Sequence, residues 1–215
     1  MFNIIVEYKR IKYNRIRIEP SGKVILSVRL NTTKKEIDAL IKKYEPWIKK
    51  NYNKAYDLTL DYTLKQDSII FILGKKYIIK IIKDNYNFVE LNDEYLYIHT
   101  SKIDESHIEN VFNKYLDEFR YITYKNIIDK YLIITNLSIN DFEIRKTKRT
   151  LGRCYTERKK IILSKSLIHK SIEFIEAVVL HEIAHLKYPN HGNKFYEFIY
   201  QYMKDYKINI KKWYS

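Results

Sequence analysis

The stretch His181-Glu182-Ile183-Ala184-His185-Leu186-Lys187-Tyr188-Pro189-Asn190-His191 decides how this chain is read. Ile172, Ile175, Val178, Val179, Ile183 and Leu186 recur at helical spacing and place its first half on a helix. Four residues advance about 400° around a helix, so His181 and His185 point the same way, one turn apart. Both imidazoles can then reach one metal ion. Glu182 lies about 100° further round and can meet a water on that metal. A catalytic zinc takes three protein ligands and keeps one position open, so a third ligand has to come from outside the helix. Pro189 cannot continue a helix, Asn190 is a good cap for the next one, and His191 falls where the chain turns back. The expected site is one zinc ion on His181, His185 and His191, with Glu182 as general base. Glu197, on the following helix, is the alternative carboxylate ligand.

Working outward, Phe195, Phe198, Ile199, Tyr202 and Met203 mark a further helix, and residues 141–163 have strand character with basic residues interleaved. Ile108, Val111, Phe112, Tyr115, Leu116, Phe119 and Ile122 form one apolar stripe, which predicts a long helix from Asp104 to about Tyr131. Four short strands, Ile69–Leu73, Lys76–Ile82, Phe88–Leu91 and Tyr95–His99, are separated by turn residues and predict a small antiparallel sheet. Residues 55–68 are polar and read as a connector. Thr33 and Glu36 fit a capping box for a helix carrying Ile37, Leu40, Ile41, Tyr44 and Ile48, which Pro46 should kink or end. Alternation over Arg15–Glu19, the turn Pro20-Ser21-Gly22 and apolar residues at 24, 26, 28 and 30 predict a hairpin with one buried face.

With 215 residues and 46% hydrophobic side chains, a sizeable core is expected and global disorder is excluded. The one cysteine, Cys154, excludes a disulfide-stapled scaffold and fits a reducing compartment. Charges at Glu7, Lys9 and Arg10 come too early for a signal core, and no run approaches the ~18 apolar residues of a membrane helix. A cytoplasmic protein with no membrane partner is expected. The net charge of +14 is uneven. Residues 1–54 hold 14 basic and 5 acidic side chains, and residues 141–170 hold 10 and 3. Such segments either attract an anionic partner or form a solvated, lysine-rich surface.

The residues quoted so far resemble a known family. His181–Ile199 (HEIAHLKYPNHGNKFYEFI) is similar to the signature of the YgjP-like metal-dependent hydrolases, zincins related to the SprT metallopeptidases. Tyr13–Val28 resembles the family's basic hairpin, Lys35–Ile48 its following helix, and Leu73-Gly74-Lys75-Lys76-Tyr77 its Leu-Gly-basic-basic-Tyr turn. Thr150–Leu163 takes the place of a Trp-Gly-Ser-Cys strand pair, of which Gly152 and Cys154 are kept while Leu151 and Arg153 replace Trp and Ser. The spacing of the three histidines also equals that of metzincins, but Tyr188 stands where their glycine would be. The resemblance implies zinc on the three histidines and Glu182 as base.

These readings predict an α+β protein: a β-rich N-terminal region with one helix over 1–100, then a zincin-like catalytic region over 101–215. The expected activity is zinc-dependent hydrolysis of a peptide or protein, with Arg149, Arg153 and Cys154 as substrate-binding residues. Cations at 145, 146, 148, 149 and 153 would also suit a nucleotide phosphoanhydride. A basic nucleic-acid-binding protein with a zinc site is the third reading. Cys154 itself is expected as a packed, inert thiol. His169 is expected as a solvated loop residue, or else a proton donor, and His99 and His107 have no evident partners in the sequence.

Overall fold

Val24 to Val28 is buried along its whole length in the computed structural model, which describes residues 4–18, 24–57, 62–147 and 150–211. The reason is topological. In the order β1 (Ile4–Lys9), β2 (Arg15–Ile18) and β3 (Val24–Arg29), β3 lies between the other two. The β2–β3 pair is the expected antiparallel hairpin, with its turn outside the described residues, while β1 joins β3 in parallel. One-sided burial is therefore not what forms. Ser27, on the other face, is 5% exposed, and its hydroxyl donates to Glu7 while Arg17 donates to it. Leu30, past the strand end, is 52% exposed. The capping box of α1 (Lys34–Asp57) forms: Thr33 N–H donates to the Glu36 carboxylate at 2.7 Å and Glu36 N–H to Thr33 Oγ1 at 3.3 Å. Pro46 does not end α1, and Ile48 beyond it is fully buried.

These elements form one compact unit, Met1–Asp61; the second spans Tyr62–Ser215. The division differs from the expected boundary at residue 100, because the sheet over residues 69–100 packs into the core of the second unit. That sheet comprises β4 (Ile69–Ile72), β5 (Lys75–Lys83), β6 (Phe88–Leu91) and β7 (Tyr95–Thr100) in the order β4-β5-β7-β6. Both hairpins are antiparallel, but β5 and β7 run parallel, since the chain crosses to lay β6 on the far side of β7. Ile70, Ile72, Ile79, Leu96 and Ile98 form its buried face.

Helix α2 (Glu105–Thr135) starts at Asp104, whose carboxylate accepts His107 N–H at 2.9 Å, and ends at Asn136 in the left-handed region. Ile122, expected in its apolar stripe, is exposed, whereas Arg120 is buried. Arg120 Nε–H donates to Lys165 C=O at 2.9 Å, and Asp117 pairs with both Arg120 and Lys165. Strands β8 (Asp141–Arg145), β9 (Gly152–Tyr155) and β10 (Lys160–Ser164) follow in the order β8-β10-β9, so β9 is an edge strand among the described residues.

A 3₁₀ turn over Lys165–His169 leads to α3 (Ile172–Ala184), which Ser171 caps. Apolar residues on every side of α3 make it the central, buried helix. The β4–β5 turn holds its start: Leu73 N–H donates to Ile168 C=O at 2.8 Å, and Gly74, at φ 77°, passes so close that a Cβ there would stand 2.8 Å from Ser171 Cα. Two further helices, α4 (Asn193–Tyr202) and α5 (Tyr206–Lys211), complete the unit. Helix α3 ends before Pro189 is reached, and Gly192, not Asn190, caps α4, with no side-chain bond. The turn between them is held instead by backbone bonds, among them Tyr188 N–H to Ala184 C=O at 2.9 Å and Gly192 N–H to Asn190 C=O at 2.9 Å.

Candidate metal centre

The helical spacing of His181 and His185 and the turn after α3 bring three imidazoles together. His181 Nε2 and His185 Nε2 lie 3.2 Å apart, and His191 Nε2 lies 3.0 Å from the first and 3.1 Å from the second. His185 Nδ1 faces Tyr188 C=O at 3.3 Å. A carbonyl only accepts, so Nδ1 carries the proton and the Nε2 lone pair points into the cluster. Bare lone pairs at such distances repel one another unless a cation lies between them. A tetrahedral zinc with bonds of about 2.0–2.1 Å separates its nitrogen ligands by about 3.3–3.4 Å, so the donor set fits such an ion. Glu197, exposed on α4, is not part of this cluster.

Two neighbours had no sequence signal. Tyr206, on α5 and 4% exposed, places its hydroxyl 2.6 Å from His181 Nδ1. It is one of 21 tyrosines and lies 25 residues from its partner. Phe195, fully buried, sets its ring centroid 4.8–5.0 Å from each of the three imidazole rings. Burial, reinforced by the other two imidazoles, lowers the His181 pKa to about 4 and keeps that ring neutral, the form that binds a cation.

Glu182 points away from the imidazoles toward β9. It is 7% exposed, and burial raises its pKa to about 7, while the Cys154 N–H and the charge of Arg153 act in the opposite direction. Gly152 makes this approach possible: a Cβ there would stand 2.6 Å from Glu182 Oε1. A cleft of about 420 Å³ is lined by Gly152, Arg153, Cys154, Thr156, His181, Glu182, His185 and Pro189. The Cys154 thiol is partly buried, and its pKa is raised to about 11, chiefly by that burial and then by Glu182, so it stays protonated. Arg149 lies outside the described residues.

The remaining histidines lie elsewhere. His169, expected in solvent, is 5% exposed and donates from Nδ1 to Phe71 C=O at 2.6 Å. His99 pairs with Asp84 at 2.9 Å and stacks on Phe88, and His107 Nε2 lies 3.2 Å from Asn87 Oδ1. Neither partner is visible from sequence, because both depend on how β6 and β7 pair.

Paired histidines on a buried helix, a third from the turn beyond it, and a carboxylate held against a sheet edge form the arrangement of a metallopeptidase-type hydrolase. The chain belongs to the YgjP-like family, whose model, described as the YgjP-like metallopeptidase domain, matches residues 12–213. Among solved structures, it is similar to the metallopeptidase zymogen abylysin of Pyrococcus abyssi, at 18% identity over 41% of this chain and 90% of that one, with a TM-score of 0.39. The zymogen jannalysin of Methanocaldococcus jannaschii is 26% identical over 41% of this chain and 94% of that one, with a TM-score of 0.37. No curated protein matches the chain. Among the described residues, no helix is long and apolar enough to cross a membrane.

Proposed function

We propose that the chain is a zinc-dependent peptidase that uses Glu182 as general base. The observation that carries this reading is the convergence of three imidazole Nε2 atoms, 3.0–3.2 Å apart, beside a carboxylate buried against an edge strand. His181, His185 and His191 would hold one zinc ion. When bound, the ion would polarise the scissile carbonyl and lower the pKa of a water toward ~7. Glu182 takes a proton from the attacking water and returns it to the leaving amine as the C–N bond breaks. Tyr206 holds the His181 ring in one orientation.

The substrate lies along β9. Ser164 N–H donates to Leu151 C=O, so Leu151, Arg153 and Tyr155 turn their backbone polar groups toward β10. Gly152 and Cys154 therefore turn theirs away from β10; the Cys154 N–H is held by Glu182, and the Gly152 groups and the Cys154 C=O remain for an extended peptide to pair with as an added strand. Cys154 contributes its C=O, and Arg153 and Arg149 contribute charge. The free thiol fits a reducing, cytoplasmic setting.

The test compares wild type and Glu182→Gln, both loaded with zinc, on a pool of unfolded peptides. The variant should keep its zinc and lose turnover; retained turnover would sink the general-base role. Phosphate release from a nucleotide panel, or salt-sensitive nucleic-acid binding with no peptide cleavage, would redirect the reading to those substrates.

A further inference from the structure

We infer that this site selects substrates with an acidic side chain beside the scissile bond, and that Arg153 reads it. The inference rests on the peptidase reading above and concerns which peptides are cut.

The geometry follows from the alternation of β9. The missing Cβ of Gly152 points at Glu182, so Gly152 and Cys154 face α3. Arg153 and Tyr155 therefore face the other way, and their side chains meet there: the guanidinium stands 5.9 Å from the ring centroid, with Nη1 3.5 Å from the hydroxyl. Arg158 lies on the other side of Tyr155, away from the open edge, where it lines a small cavity over β10 with Arg145, Lys160 and Ile162.

The charges on this face are unequal in availability. Lys160 pairs with Asp141 and Glu143, and Arg145 with Glu143. Arg153 and Arg158 have no carboxylate within ion-pair distance among the described residues. Glu157, in the β9–β10 turn, is the only acidic side chain of this hairpin. Of the two, only Arg153 lines the cleft and stands on the edge strand itself, where it is exposed and paired with no carboxylate.

Neighbouring residues of paired strands put their side chains on the same face. In a peptide added to β9, the residue opposite Gly152 or Cys154 points toward Glu182 and α3. The residue opposite Arg153 lies against its guanidinium. An acidic residue is therefore expected at the position opposite Arg153. An exposed ion pair is worth about 0.2–1 kcal/mol, a factor of about 1.5 to 5 in kcat/KM for that residue.

Cleavage-site profiling of the zinc-loaded full chain on a pool of proteome-derived peptides tests this. Asp and Glu should be enriched at one position, and the enrichment should fade at high salt. Arg153→Glu should turn the preference at its position toward Lys and Arg, and Arg158→Glu, outside the cleft, should leave it as in wild type. The acidic-to-neutral ratio is taken within each variant, so a general loss of activity does not mimic the effect. Cleavage without acidic preference, or a preference unchanged in Arg153→Glu, overturns this inference alone. No cleavage of any peptide overturns the peptidase reading and this inference with it.

Discussion

Replacing Gly152 by alanine puts a methyl group where Glu182 now lies. The new Cβ would stand 2.6 Å from Glu182 Oε1, 2.7 Å from Cγ and 2.9 Å from Cδ. Ordinary contacts between such atoms are about 3.5–4.0 Å, so the carboxylate has to retreat by about 1 Å. It is 7% exposed on a buried helix, and Cys154 N–H holds it from β9, so the retreat also breaks its registration with the cleft. A misplacement of about 1 Å in a group that handles a proton costs about 10²-fold in turnover, or about 2.7 kcal/mol in the barrier. The three atoms nearest the new methyl all belong to Glu182, so zinc content should not change. The assay is peptide hydrolysis at matched zinc content, with a thermal melt to register the roughly 1–3 kcal/mol cost of overpacking. Gly192→Ala is the control: a Cβ at Gly192 meets nothing within 4 Å, and its turnover should match wild type. Full turnover in Gly152→Ala would refute the placement of Glu182 as base.

Tyr206→Phe removes the oxygen 2.6 Å from His181 Nδ1 and leaves that N–H without its acceptor, so zinc affinity should fall by about 10-fold or more in chelator competition. An unchanged affinity would exclude Tyr206 from orienting the ligand. A second prediction concerns stability and pH. Burial lowers the His169 pKa from 6.5 to about 4, so between those values the unfolded chain takes up a proton that the folded chain refuses. The sign is then fixed: stability is intact above about pH 6.5 and is lost as pH falls toward 4, by about 3 kcal/mol in all. His169→Asn keeps a donor for Phe71 C=O and removes the titrating ring. Denaturant unfolding at pH 4 to 7 should show a smaller loss on acidification in the variant, and equal slopes would refute the assignment.

What could be read from the sequence was local. His181 and His185 share a helix face because the backbone repeats every 3.6 residues, and the apolar spacing from Ile172 to Leu186 reveals that repeat. The capping box at Thr33 and Glu36 and the turn at Gly74 are legible for the same reason: each is settled within a few residues. The break after α3 was legible only in part. The chain leaves the helix ahead of Pro189, through backbone bonds that no side chain advertises.

Pairing across the chain was not legible. Nothing in the alternation of β5 and β7 distinguishes a parallel from an antiparallel partner, since the side-chain period is two in either case. Nor does composition reveal which buried strand has neighbours on both edges, as β3 has. The sequence by itself determined that three histidines and a glutamate could meet at one point. Only the tertiary structure decided what stands around them: Tyr206 behind His181, Phe195 beneath the three rings, and Gly152 giving way to Glu182. Those contacts join residues 25, 14 and 30 positions apart, for His181 with Tyr206 and with Phe195 and for Gly152 with Glu182. Packing selects such contacts by shape and burial, and no short-range periodicity encodes them.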